Sequence, residues 1–413
     1  MEAFLVIARI SWRSIWRNRR RTWITVSAIT FGLTLAIIFI SLGDGAYKQL
    51  IDEACRLQGG HLTLEHRDYR DAPSIDLVVS GVAQVRSKLE ALDNVKSTKI
   101  LVVGQGVVKS ASGAVGVAIM GVDPTIEAAT SPLAHKITNG KYLQEGDRNK
   151  VVIGTKLAKN LNLETGKKLV ITTSNVSGEL VEELCRVKGT FELGSDEIDM
   201  YTIQIPIEFS RVLFGLDVDE ATQIGVMLQD PEKRTIAVEA AKSFAPNSIA
   251  SRTWEEIMPA LAGYIRVDRG GNLIFQGVII FLSLFTIFNT ILMSVLERTR
   301  ELAIQLALGT SVSQLHLQII FESSLLGALG STLGVVSGGA LSYWMKMEGL
   351  DMSRFIKEGV DVSGFSVNSV IYADVTVNLL VSLWLLVFFS TAMLSLIPGR
   401  HISRISVQDV LRK

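Results

Sequence analysis

Leu273 to Leu296 reads LIFQGVIIFLSLFTIFNTILMSVL and contains no charged residue. It matches the roughly 20 apolar residues that cross a hydrocarbon core. Glu297-Arg298-Thr299-Arg300-Glu301 follows, a charge density that is costly in lipid. Leu302 to Leu308 (LAIQLAL) then reads as a short helix, stopped by Gly309, which suits a left-handed helix end. A second apolar run extends from about Leu315 to Trp344. The pattern is a membrane hairpin with a charged, half-apolar helix at its bend, placed to receive force from a soluble partner.

Two more spans complete a set of four. Thr22 to Leu42 is too long for a signal-peptide core, and SLGDGAYKQL after it offers no small-x-small cleavage site, so it reads as an uncleaved anchor. The last span runs from about 375 to 397. Before the first, Arg9, Arg13 and Arg17 recur every four residues on one helical face, Arg20 continues it, and Arg19 and Arg21 stand beside it. Phe4, Ile7, Ala8, Ile15 and Trp16 can fill the remainder. Two readings stay open: an amphipathic helix lying on an anionic leaflet, or the basic flank of an anchor. The tail adds Arg400, Arg404, Arg412 and Lys413 against Asp409 alone. The positive-inside bias puts both ends in the cytoplasm, 43–271 and 345–374 outside, and 297–314 inside.

Gly330, Gly334 and Gly338 form a doubled GxxxG that allows close backbone approach, either at a dimer interface or within the chain's own bundle. Glu322 is the one clear acid within a span. It reads as a structural group, near the interface or bonded to a neighbouring helix, or as part of a proton relay.

From 43 to 271 there is no further span, and the segment is long enough to bury its own core. Helices are expected at 45–58, Val78–Leu92, Pro231–Phe244 and Thr253–Ile265. Strands are expected at Val95–Lys109, Ala114–Gly121, Val151–Ile153, Lys168–Thr173, Glu183–Phe191 and Gln223–Gln229. The elements mix without strict alternation, which is an α+β pattern.

The 413 residues are 48% hydrophobic and 20% charged, a balance between soluble and fully membrane-embedded proteins. Equal numbers of basic and acidic residues, 41 each, give no reason to expect a nucleic-acid partner. GxxxxGK[ST], HExxH and GxSxG are absent, so neither a phosphate-cradling loop nor these catalytic sites is expected. Gly104-Gln105-Gly106 lacks the third glycine of a dinucleotide loop. His61, Glu65, His66 and Asp68 are close in sequence, but His61 and His66 would face opposite sides of a strand, so a solvated strand edge is expected rather than a metal site. Cys55 and Cys185 could close a disulfide in an oxidising compartment, or remain two buried thiols.

ERTRELAIQLALGTSVSQL and FESSLLGALGSTLG resemble the coupling region of ABC-transporter permeases of the MacB/FtsX-like superfamily, with the architecture of its lipoprotein-releasing permeases LolC and LolE. Gln305 stands where a basic residue is common and Thr310 where Ala is usual. WRSIWRNRRRTWIT resembles the N-terminal elbow (1–21), GVDP, GKYL and VVIGTKLAKNLNLETGKKLVI the MacB-like periplasmic core domain, and SVQDVLRK the C-terminal signature. The resemblance implies periplasmic subdomains at about 50–135 with 220–265, and at 136–219. It separates Cys55, near the membrane, from Cys185 in the distal part. It also implies a non-enzymatic inner-membrane permease that binds no cofactor itself, ATP being bound by a cytoplasmic ATPase subunit.

That ATPase would engage Glu297, Arg298, Arg300, Glu301, Leu302, Gln305, Leu306 and Gly309, with Leu302 and Leu306 as apolar anchors. Further implied partners are a second permease copy or homologue, a periplasmic chaperone or adaptor, and membrane lipids. The function implied is mechanotransmission that releases lipoproteins to a periplasmic carrier. MacB-like efflux of peptides or drugs with an adaptor and outer-membrane channel, and FtsX-like regulation of a cell-wall hydrolase, are the alternatives.

Overall fold

The computed structural model describes residues 2–17, 19–353, 361–362, 365–366 and 369–397. The C-terminal signature, the basic tail and part of the 345–374 loop lie outside these. The chain divides into two compact units. One comprises Met1–Lys48, Val267–Asp351 and Val370–Lys413; the other comprises Gln49–Arg266 and Met352–Ser369.

The first unit is helical. We label its helices α1 (Glu2–Arg17), α2 (Arg19–Leu57), α3 (Pro259–Glu297), α4 (Thr299–Ala307), α5 (Val312–Glu348) and α6 (Val377–Leu394); the part of α2 after Lys48 and the part of α3 before Val267 belong to the second unit. Four of them, α2, α3, α5 and α6, are long and apolar enough to cross a membrane. They contain the four expected spans, apart from residues at the ends of the last. α5 has the lowest mean hydropathy of the four because glycine and serine replace large apolar residues along it.

Those glycines form a seam with α2. A Cβ added at Gly330 would lie 2.6 Å from Cβ of Ile29, one at Gly334 2.9 Å from Leu33, and one at Gly338 3.0 Å from Ile37. Ile29, Leu33 and Ile37 are four apart and almost fully buried, so a ridge of α2 fills the groove the glycines leave. Hydroxyls stitch the same seam: Thr30 donates to the Gly330 carbonyl at 3.2 Å, and Thr34 and Ser337 share a 2.6 Å hydrogen bond. Of the two readings of this motif, packing inside the chain's own bundle is the one realised here.

The second unit is built on a ten-stranded sheet. Its strands are β1 (Leu62–His66), β2 (Val95–Ser110), β3 (Gly113–Val122), β4 (Ile137–Gly140), β5 (Lys150–Gly154), β6 (Lys168–Ser174), β7 (Leu180–Phe191), β8 (Thr202–Pro206), β9 (Gln223–Leu228) and β10 (Ile249–Thr253). The order is β10-β1-β9-β2-β3-β8-β5-β7-β4, with β6 pairing β2 and β7. β3 with β8, and β5 with β7, are parallel; the other pairs are antiparallel. The fold is α+β.

No break falls at the boundary expected near residue 136. β2 pairs through Lys99–Leu101 with β9 and through Gly106–Lys109 with β6, so one strand serves both expected subdomains. Leu62, Val82, Ile119, Leu157, Leu169 and Ile203 all join one buried cluster. The reason is length: 16 residues at roughly 3.3 Å each outrun any single partner.

The helix expected over Val78–Leu92 is shorter, Val82–Glu90, because Val79–Ser80 pairs as a strand and Gly81 turns with φ 71°. Residues 61–66 are not a solvated edge. β1 lies between β9 and β10, and His61 and Glu65 are buried. The Glu65 carboxylate is 2.8 Å from Arg70 Nε and 3.2 Å from Arg252 Nε, which supplies the charge partners a buried acid requires.

Cys55 and Cys185 are free and buried, so the disulfide is not formed. Cys185 sits opposite Leu169 in the sheet and belongs to the apolar core. Burial pushes its pKa up to about 12 and that of Cys55 further still. A raised thiol pKa withholds the reactive thiolate. Native protein prepared without reductant should therefore resist iodoacetamide at neutral pH, and denaturation should release two alkylatable thiols; recovery of a disulfide-linked peptide pair by mass spectrometry would contradict this. Gly330→Val should lower the melting temperature in detergent, at about 1–3 kcal/mol of overpacking, and Ile29→Ala should restore part of the loss.

Candidate coupling site

α4 is bounded by backbone chemistry at both ends. Arg298 turns the chain between α3 and α4. At the other end Gly309 has φ 92°, its N–H donates to Leu306 O at 3.0 Å, and Thr310 N–H donates to Gln305 O at 3.0 Å. These bonds close off the last carbonyls of the helix. Ser311 then caps α5 in a reciprocal capping box with Gln314.

Leu302 and Ala303 are buried, with Leu306 packed beside them, and Leu302 clusters with Val295, Leu315 and Ile319. Leu302 and Leu306 do share a face, as their spacing requires, but it is the inner face, spent on the chain's own bundle. The expectation that they dock into a partner is thereby corrected. Exposed instead are Glu297, Arg300, Glu301, Ile304, Ala307, Leu308 and Gly309, with Gln305 half-buried. Ile304 is 44% and Leu308 81% exposed, so the outer face carries its own apolar pair.

Beneath α4 lies a charge cluster. Glu322 of α5 is buried. Its Oε1 accepts from Arg21 Nη2 of α2 at 2.7 Å, and its Oε2 accepts from Arg298 Nη1 at 2.9 Å and from Ser14 Oγ of α1 at 3.1 Å. Arg298 also donates through Nε to Glu301 of α4 at 3.1 Å. Arg17 of α1 reaches both oxygens of Glu301, at 2.7 and 2.5 Å. Three arginines and two carboxylates thus tie α1, α2, α4 and α5 together.

Depth differs across the cluster. The side chains of Arg21, Arg298 and Glu322 are only 15%, 16% and 8% exposed, whereas Arg17 and Glu301 are 61% and 45% exposed. Burial disfavours the charge on Arg298, but the Glu322 and Glu301 carboxylates outweigh it and hold its pKa above the ordinary value. The Arg17 hydrogen bond, helped by Arg298 and opposed by partial burial, holds Glu301 below the ordinary carboxylate range. That contribution is present above the unfolded pKa and is lost as pH falls through the lowered one.

Glu322 was legible as an intramembrane acid. Its partners were not: Arg17 read as part of a basic face, Arg21 stood beside that face, and Ser14 carried no signal. The arginines' spacing of four beside a span, with one lone acid elsewhere in the membrane, was the available clue. Removing one member of a buried pair leaves an uncompensated charge, at a cost of about 3–5 kcal/mol, whereas an exposed pair contributes about 0–1 kcal/mol. Glu322→Ala should accordingly lower the melting temperature in detergent far more than Glu301→Ala. Equal effects would show that the cluster is not buried as described.

The MacB-like periplasmic core domain family matches residues 22–244, more than half of the chain, and the FtsX-like permease C-terminal family matches residues 273–407. The lipoprotein-releasing system transmembrane protein LolC of Neisseria meningitidis serogroup B is 23% identical over 78% of this chain and 77% of its own length. An uncharacterised ABC transporter permease of Methanocaldococcus jannaschii is 22% identical over 80% and 82%. The macrolide export ATP-binding/permease protein MacB of Nitrosomonas europaea is 25% identical over 80% of this chain; the chain spans half of that relative's length. With four spans and an α+β domain between the first and second, the chain belongs to the MacB/FtsX-like superfamily of ABC-transporter permeases, as a multi-pass inner-membrane protein.

Proposed function

We propose that this permease works by mechanotransmission with a separate cytoplasmic ATPase. The observation that carries this reading is the two-sided character of α4: an inner face locked into the bundle and an outer face with Arg300, Ile304 and Leu308 open to solvent. ATP-driven closure of the ATPase would press on that outer face. The cluster around Glu322 would pass the displacement to α1, α2 and α5, and the chain connections at residues 48 and 266 would carry it onward to the periplasmic domain.

The cargo we propose is a lipoprotein, drawn from the membrane and handed to a periplasmic carrier by a dimer of this chain with a second copy or a homologue. The support is extent: the LolC relative aligns over about three quarters of both chains. MacB relatives are equally similar in identity, so efflux through an adaptor is the competing outcome.

Complex isolated in detergent from cells expressing the tagged chain tests both points. The double variant Ile304→Asp, Leu308→Asp should lose ATPase co-purification while keeping its melting temperature. Leu302→Asp should instead destabilise the permease itself. Full ATPase yield from the outer-face variant would end the docking proposal. Adaptor in place of lipoprotein among the co-purified species would support export.

A further inference from the structure

We propose that the outward face of α1, continued into the first turn of α2, is a binding surface for anionic phospholipid headgroups. Among the described residues, the buried side of α1 is the strip of Ser11, Ser14 and Ile15. Ser11 donates to the Gln318 carbonyl at 3.3 Å, Ser14 to Glu322, and Ile15 is fully buried. The 3.6-residue period orders the rest of the circumference. Next to the buried strip come Trp12 and Trp16, 47% and 39% exposed, with their rings edge to face at 5.9 Å. Arg9 and Arg13 follow, both exposed, and then Arg17, which turns to Glu301.

α2 repeats the pairing of aromatic and basic groups. It opens on Arg19-Arg20-Arg21 with no acid in its first turn, although cations at the positive end of a helix dipole are unfavourable without an anion. Arg21 has Glu322. Arg9, Arg13, Arg19 and Arg20 have no carboxylate partner among the described residues, and beside them Trp23 and Ile24 are more than half exposed.

Exposed tryptophans interleaved with unpaired arginines fit a membrane interface: the indoles rest at headgroup depth and the guanidiniums meet phosphate bidentately. Phosphate on an acidic lipid supplies the missing charge, which a zwitterionic lipid supplies only in part. Since Ser14 on the opposite face holds Glu322 and Arg17 at the edge of this surface holds Glu301, occupancy of the surface would also fix the helix that anchors the coupling cluster.

The full chain, purified in detergent and offered phosphatidylglycerol and phosphatidylcholine at equal concentration, would be examined for retained lipid by native mass spectrometry. Each arginine at an anionic surface should contribute about a five-fold preference. The wild type should therefore favour phosphatidylglycerol by at least about tenfold, and less so as salt rises. The quadruple variant Arg9→Gln, Arg13→Gln, Arg19→Gln, Arg20→Gln should fall to parity. Should that variant fail to fold, the pair Arg9→Gln, Arg13→Gln should lose part of the preference. Arg17→Gln should keep it, because that guanidinium is held by Glu301. Equal retention of the two lipids by the wild type would overturn the proposal, as would a preference unchanged in the arginine variants. ATPase co-purification lost in those variants with lipid preference intact would assign the surface to the protein partner instead.

Discussion

The pairing of Glu322 with two arginines constrains the rest of the membrane unit. A carboxylate on an apolar helix is expensive, and its attraction to one cation seldom repays desolvation. Here Arg21, Arg298 and the Ser14 hydroxyl converge on it. Satisfying this one acid requires α1 to fold back onto α5, α2 to begin beside it, and the turn before α4 to lie against it. The arrangement is better understood as fixing geometry than as adding stability, since an apolar trio could pack as well.

Around that fixed point the two faces of α4 separate. Leu302 and Ala303 go to the bundle, and Ile304 and Leu308 remain outside. Further along α5 the chemistry changes from charge to shape, with Gly330, Gly334 and Gly338 admitting Ile29, Leu33 and Ile37. α5 is thus clamped to α2 near one end by the Arg21–Glu322 ion pair and further along by close packing. Through Arg298 the same carboxylate also ties the start of α4 to α2 and α5.

Much of this was legible in the sequence, for physical reasons. Uncharged runs fix the spans because hydrocarbon tolerates little else. Gly309 marks the end of α4 because a left-handed residue is easiest for glycine. What the sequence left open were choices that periodicity cannot make. Leu302 and Leu306 define a face, but spacing does not say which side of the helix is covered. Arg17 and Arg21 meet acids some 300 residues away in sequence, a relation with no local signal. The β8 segment Thr202–Pro206 escaped notice because five residues after a short helix show too little alternation. The continuous sheet depends on β2 pairing with β9 and β6 at different points, which composition does not encode.

The most direct test of the linkage between α4 and α5 is a distance measured in the assembled complex. Spin labels at Gln305, a half-buried position of α4 outside the Arg300–Ile304–Leu308 face, and at the exposed Leu333 of α5 would report the separation of the two helices by pulsed electron paramagnetic resonance, without nucleotide and with the ATPase trapped on ATP. In the otherwise unaltered protein the distance should stay constant between the two states, because the Glu322 cluster moves both helices together, and in Glu322→Gln it should change on trapping. A distance that changes on trapping even with Glu322 in place would contradict a rigid linkage.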